Sequence, residues 1–177
     1  MVLTHEATHV AVRASSGPVP MWLSEGFADY VALRGRGLAV ASAAPTAMRH
    51  VRRHGPPPVL PRDRDFVSGG ANGAAAYELS WLACRLLAQR YGEPALVRFY
   101  RTAAVTDRGR GAAGGGQRAT VGRRPAIGRG QRAADGGRSA PDGGVSLRRA
   151  FRELGTTQQA FLRQWRTELD TLRRGTP

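Results

Sequence analysis

Two histidines four residues apart, His5 and His9, with Glu6 directly after the first, are the chemically most informative residues near the start of the sequence. Residues four apart lie one above the other on a helix, so both imidazoles can point at a single metal ion. A glutamate on the neighbouring face can take the proton of a water molecule that the metal activates. The HExxH pattern therefore predicts a zinc site with His5 and His9 as ligands and Glu6 as the general base.

A catalytic zinc takes three protein ligands and keeps one open position, so HExxH by itself is incomplete. Glu25 is the candidate third ligand, because it follows His9 by sixteen positions in WLSEGFADYVAL, an apolar pattern typical of a second packed helix. The intervening SSGPVP predicts a turn that lets the two helices run antiparallel. Asp29 follows Glu25 by one helical turn and can accept the free ring N–H of a zinc-bound histidine, which fixes the tautomer.

HEATH followed by WLSEGFADY resembles the gluzincin metallopeptidases, the clan of thermolysin and the zinc aminopeptidases, and most closely its bacterial peptidase MA-like members. The resemblance implies peptide-bond hydrolysis with Zn2+ as cofactor and a peptide or protein as substrate. It also implies that His5, His9 and Glu25 bind zinc, that Glu6 is the general base, and that Asp29 supports a histidine ligand.

Tyr77 resembles the tyrosine that aminopeptidase-type gluzincins carry downstream of the glutamate ligand, whose hydroxyl stabilises the oxyanion. We place Tyr77 at a loop-to-helix junction. The alternative is core packing with the hydroxyl at the rim of the core, which is common for a tyrosine that starts an apolar helix. Tyr30 is a second tyrosine in reach of the site, but it belongs to the packing face of its helix.

Apolar periodicity and Pro/Gly punctuation predict further helices. We expect the segments between them, residues 34–44 and 56–73, to be loops, and Thr156 or Thr157 to cap the last helix. The predicted helices are Pro45–His54 closed by Gly55, Ala74–Tyr91 closed by Gly92, Glu93–Ala103, and helices after Ser146 with a stripe of Phe161, Leu162, Trp165, Leu169 and Leu172.

We expect a mainly α fold that represents the helical half of a zincin-like metallopeptidase domain. Its parts are a zinc-binding core over residues 1–104, a Gly/Arg-rich disordered insert over 105–145, and C-terminal helices over 146–177 that pack on the core. The resemblance covers 1–104 and 146–173. In the family a β-sheet subdomain precedes the zinc helix, which begins here almost at Met1. That subdomain is therefore expected to be absent or rudimentary, and the chain to be the C-terminal part of a longer protein or to have a misplaced start.

The formal net charge is +14, and all 27 basic residues are arginine. Complete avoidance of lysine together with heavy use of Gly, Ala and Pro indicates GC-rich coding more than a selected basic surface. The arginines of residues 106–145 lack interleaved aromatic residues that would stack on bases, which favours a disordered insert over a nucleic-acid tether. A reading-frame error in GC-rich DNA is a third origin for that segment. No specific nucleic-acid partner is predicted.

Two further features resemble functional sites and are interpreted structurally. His50 and His54 are also four apart, but no glutamate lies between them and the neighbouring arginines would repel a dication, so they indicate a solvated basic face. The single cysteine, Cys84, lies in a strongly apolar helical pattern and is expected to be a buried, inert thiol.

The sequence as it stands shows neither an export signal nor a membrane span, although an upstream segment could carry one. No apolar run approaches the ~20 residues of a spanning helix, and no charged segment followed by an apolar run marks an export signal. Localisation and oligomeric state are therefore not specified by any pattern in the chain.

The predicted function is zinc-dependent peptide-bond hydrolysis by a gluzincin-type domain. Two alternatives stay open: a zinc-binding but catalytically inactive remnant, and an arginine-rich nucleic-acid-binding protein. Endopeptidase and aminopeptidase activity are both compatible with the sequence.

Overall fold

The computed structural model describes residues 2–13, 19–67, 71–104 and 144–175, and within those ranges the chain forms helices and no strand. The predicted mainly helical fold class is confirmed for this part of the chain, while its assignment to a zincin-like domain stays a prediction. The helices are α1 (Val2–Arg13), α2 (Met21–Leu33), α3 (Val40–Ala43), α4 (Pro45–His54), α5 (Asp63–Val67), α6 (Ala71–Tyr91), α7 (Glu93–Ala103), α8 (Val145–Glu153) and α9 (Gln158–Arg174).

Helix α6 is the central element, because α2, α4, α5 and α7 all pack against it. Its apolar side chains are buried on several faces of the helix, as the burial of Leu79, Leu82 and Leu87 shows. A helix that is apolar on most of its circumference is stable only when neighbours cover it. The position of every element that carries a candidate site residue is therefore set directly or indirectly by α6.

The C-terminal helices belong to the same hydrophobic core as the preceding ones. Helix α8 packs on α7, where the rings of Phe99 and Phe151 meet edge to face with centroids 4.8 Å apart. The ring of Phe161, on α9, lies 5.5 Å from that of Phe151. Such aromatic pairs add to the stabilisation that burial of their area provides.

Several predicted boundaries agree with the structure. Helices α4 and α7 have the predicted limits, and proline occupies the first turn of each. Gly55 ends α4, and Gly92 lies between the end of α6 and the start of α7; both glycines have positive φ. Thr157 is the cap of α9, and its hydroxyl accepts a hydrogen bond from the Ala160 N–H at 3.1 Å.

Two predicted loops contain short helices, which corrects the sequence prediction. Residues 34–44 include α3, and residues 56–73 include α5 and the first turn of α6, which begins at Ala71 instead of Ala74. Helix α5 forms because Phe66 is buried and the carboxylate of Asp65 accepts the Arg62 N–H at 2.8 Å. Five residues are too few for a periodic pattern to appear in the sequence.

Cys84 is buried, as predicted, and burial raises the pKa of its thiol. The predicted insert, residues 105–145, lies outside the described residues except for its last two positions. The three-part domain division therefore stays a prediction. Among the described helices, none is both long enough and apolar enough to cross a bilayer.

Candidate metal centre

Helices α1 and α2 pack against each other and bring four of the predicted site residues together. His9 lies beside Glu25, and His5 lies beside both Glu25 and Asp29. Because the earlier residue of α1 meets the later residue of α2, the two helices run in opposite senses at the site. These pairings are those expected of an antiparallel helix pair.

The three predicted ligand atoms form a small triangle. His5 Nε2 and His9 Nε2 are 3.0 Å apart, and Glu25 Oε2 lies 3.3 Å from each of them. Ligand atoms around a tetrahedral zinc, each about 2.0–2.2 Å from the metal, lie roughly 3.3–3.6 Å from one another. The donor set and its spacing therefore fit a zinc ion.

The hydrogen bonding of His5 favours a cation at the centre of this triangle. His5 Nδ1 lies 2.8 Å from Asp29 Oδ1, and in the tautomer that donates this hydrogen bond Nε2 carries the lone pair that a metal ligand requires. That lone pair lies 3.3 Å from Glu25 Oε2, an ionised carboxylate oxygen that can only accept. A proton on His9 Nε2 can be donated to one of these two atoms, whereas a divalent cation at the centre binds His5 Nε2, His9 Nε2 and Glu25 Oε2 together.

The site is partly withdrawn from water, since the side chains of His5, His9, Glu25 and Asp29 are 15–18% exposed. Burial raises the pKa of Asp29, and the hydrogen bond from His5 opposes that rise. The four side chains are thus mostly buried but keep some contact with solvent.

Replacement of Asp29 by alanine is expected to weaken zinc binding about 10–100-fold, because His5 loses the acceptor that fixes its ring and tautomer. Competition with a chromogenic chelator measures the change in affinity. Asp170→Ala is the matched control, since Asp170 is also a helical aspartate with a charged partner, Arg173, but lies on α9. Equal zinc affinity of Asp29→Ala and the wild-type protein would contradict the role assigned to Asp29.

Glu6 lies on α1 next to His5 and is exposed, outside the triangle of candidate ligands. A general base needs a lone pair accessible to a reacting water and must not be occupied as a ligand. Its exposure and its place outside the candidate ligands are compatible with both requirements. Its role as the base stays a prediction.

Tyr77 lies in the second turn of α6 and not at the start of the helix, which corrects the predicted loop-to-helix junction. Burial raises the pKa of its phenol, and the negative charges of Glu25 and Asp29 raise that pKa further. The phenol therefore lies close enough to the centre to be affected by its carboxylates. Its ring packs edge to face on Phe66 of α5, with centroids 5.0 Å apart.

Tyr30, the other tyrosine considered, is bound elsewhere. Its hydroxyl donates to Glu93 Oε1 at 2.7 Å, and Arg34 donates to the other oxygen of the same carboxylate. Burial and this hydrogen bond raise the pKa of Tyr30 to about 12. Tyr30 therefore ties α2 to the start of α7, and Tyr77 is the tyrosine associated with the centre.

The sequence prediction missed Gly26, which sets the distance between α2 and α6. A Cβ at this position would lie 2.4 Å from the carbonyl oxygen of Ser80 and 3.0 Å from Cys84 Sγ. Only glycine allows the two backbones to approach so closely. An isolated glycine inside an apolar helical pattern is the sequence signal for such a contact.

It also missed Asp63 of α5, whose side chain accepts the Met21 N–H at 3.2 Å at the start of α2. Helix α2 has no side-chain cap of its own, since Pro20 occupies the N-cap position. A carboxylate there satisfies one of the free N–H groups and favours the positive end of the helix dipole. Helix α5 thus contacts the start of α2 through Asp63 and the ring of Tyr77 through Phe66.

His5, His9 and Glu25 are the one group of three potential metal ligands found among the described residues. The rings of His50 and His54 are tilted against each other with centroids 5.0 Å apart, and among the described residues no carboxylate joins them in a group of three. No family model matches the chain, and neither the curated proteins nor the solved structures include a significant match to it.

Proposed function

We propose that the protein is a zinc-dependent peptidase whose metal is held by His5, His9 and Glu25. The observation that carries the proposal is the convergence of their three candidate ligand atoms, with Glu6 next to His5 on α1 and outside the ligand set. Bound there, zinc supplies a Lewis acid that activates water and polarises a carbonyl group.

The remaining roles belong to side chains of this chain. Glu6 accepts the proton of the attacking water and returns it to the leaving amine. Asp29 orients His5 through its hydrogen bond. Tyr77 donates a hydrogen bond from its phenol to the oxyanion of the substrate, for which its raised pKa keeps the proton in place.

Metal content tests the ligand set directly. The wild-type protein is expected to bind one equivalent of zinc, and His5→Ala and Glu25→Ala are each expected to lose it during dialysis, because two remaining ligands hold zinc poorly. His54→Ala is the matched control, since it removes an imidazole from the other pair of histidines four residues apart. Retention of zinc by Glu25→Ala would refute Glu25 as the third ligand.

A structural role for zinc is the second candidate, and the exposure of α1 favours it. The main packing partner of α1 is α2, while Leu3 and Val10 are 86% and 71% exposed. A helix that buries so little apolar surface needs another source of stability, and a metal ion bound by residues of both α1 and α2 would provide it. The proposed ligands would then attach α1 to the core without catalysis.

Activity and stability measurements separate the two candidates. A peptidase cleaves a quenched fluorescent peptide library in the presence of zinc and stops after chelation. A purely structural site loses thermal stability on chelation while the zinc-loaded protein cleaves nothing. Absence of cleavage across the library by the protein with one zinc bound would favour the structural role.

A further inference from the structure

A concave site lies on a face of α6 that none of the candidate metal ligands lines. A cavity of about 330 Å³, partly open to solvent, is lined by α4, residues 57–61, α5 and the first half of α6. Asn72, Ala75 and Leu79 line it from α6. At 100° per residue these positions share one helix face, and Tyr77 points roughly the opposite way. The cavity is therefore separate from the proposed zinc ligands.

The wall of this cavity is mainly apolar. It consists of prolines, a valine, alanines and a leucine, with His50, Asn72 and Asp65 as its polar members. Asp65 already accepts the Arg62 N–H at 2.8 Å, and its other oxygen lies 4.0 Å from Arg64 Nε. Its negative charge is thus partly balanced by its own neighbours, and the cavity can accept an apolar group.

A smaller cavity of about 120 Å³ adjoins the first, because His50 and Asn72 line both. Arg49 and Arg53 contribute to its wall, and none of its lining residues is acidic. Neither arginine makes an ion pair of 4 Å or less in the part of the chain that the structure describes. Burial raises the pKa of Glu78, and the positive charge of Arg49 partly opposes that rise. The Glu78 carboxylate accepts the Ala47 N–H at 2.6 Å.

We propose that the two cavities form one binding site for a small amphipathic carboxylate, with its apolar body in the larger cavity and its carboxylate at Arg49 and Arg53. Two guanidinium groups beside a partly enclosed apolar wall are complementary to such a ligand in both charge and polarity. The larger volume lies at the lower end of the range for small-molecule sites, about 300–1,000 Å³, so it fits a short alkyl chain or one large apolar side chain. A free carboxylic acid and the C-terminus of a peptide that ends in a large apolar residue share this chemistry.

Isothermal titration of the full chain with octanoate, octylammonium and acetate tests the site. Octanoate is expected to bind at least about tenfold more tightly than either of the others, because only it satisfies both cavities. An acetylated peptide ending in leucine, with a free or an amidated C-terminus, distinguishes the two sources of the carboxylate. Equal binding of octanoate and octylammonium, or no octanoate binding, would overturn the proposal.

Amino-acid substitutions distinguish octanoate binding at this site from non-specific attraction of the anion to a basic protein. The double variant Arg49→Gln, Arg53→Gln is expected to weaken octanoate binding at least about tenfold. The double variant Arg163→Gln, Arg166→Gln makes the same change in net charge at exposed positions of α9 and is expected to leave it unchanged. Ala75→Leu enlarges a buried side chain that lines the larger cavity and should abolish octanoate binding by protein that circular dichroism shows to be folded. Equal loss in both double variants would show non-specific charge attraction and refute the site.

Discussion

Replacement of Glu6 by glutamine is expected to leave zinc bound and to reduce peptide hydrolysis by about 10²–10⁴-fold, the usual contribution of a positioned general base. Glutamine has the size and hydrogen-bonding reach of glutamate but cannot take up a proton at neutral pH. Glu6 is exposed and lies outside the set of candidate ligands, so its loss should not disturb the metal. Metal content and the rate of cleavage, measured on the same preparation, check both halves of the expectation.

Glu153→Gln is the matched control for this experiment. Glu153 is exposed on α8 and binds Thr102 and Arg149, away from the metal centre, so its replacement should change neither zinc content nor rate. Full activity of Glu6→Gln would assign the proton transfer to another group. Loss of zinc from Glu6→Gln would instead indicate that Glu6 supports the metal.

Replacement of Gly26 by alanine is expected to destabilise the fold by about 1–3 kcal/mol, the usual cost of overpacking a core. The added methyl group would lie 2.4 Å from the Ser80 carbonyl oxygen, which is backbone and cannot rotate away. Alanine favours a helix over glycine by about 1 kcal/mol, so the steric overlap must outweigh that gain. Helices α2 and α6 must separate, so the unfolding temperature should decrease. His5 and His9 lie on α1, whose main packing partner is α2, so the three candidate ligands can move together and zinc affinity should change little.

Gly144→Ala is the control for the added methyl group, because a Cβ at Gly144 meets nothing within 4 Å. Gly144 is the N-cap of α8, where alanine is less favourable than glycine, so a small decrease in unfolding temperature is expected, less than that of Gly26→Ala. A Gly26→Ala variant as stable as the wild-type protein would show that α2 and α6 tolerate a wider spacing.

The sequence by itself determined the local arrangement of the candidate centre. The spacing of His5 and His9, and of Glu25 and Asp29, places each pair on one helix face because an α-helix repeats every 3.6 residues. The same local rules identified α4 and α7, whose limits are marked by proline and glycine. Features that depend on backbone geometry within a few residues can be predicted from the chain alone.

The tertiary structure decided which of these faces meet. Glu25 Oε2 lies 3.3 Å from both histidines because α1 packs on α2, and α2 in turn packs on α6 at the spacing that Gly26 allows, a contact between residues far apart in the sequence. No periodic pattern encodes the distance between two helices, since it depends on the side chains of both. For the same reason, the role of α5 in holding α2 and Tyr77, and the joined cavities beside Arg49 and Arg53, became visible only in the folded chain.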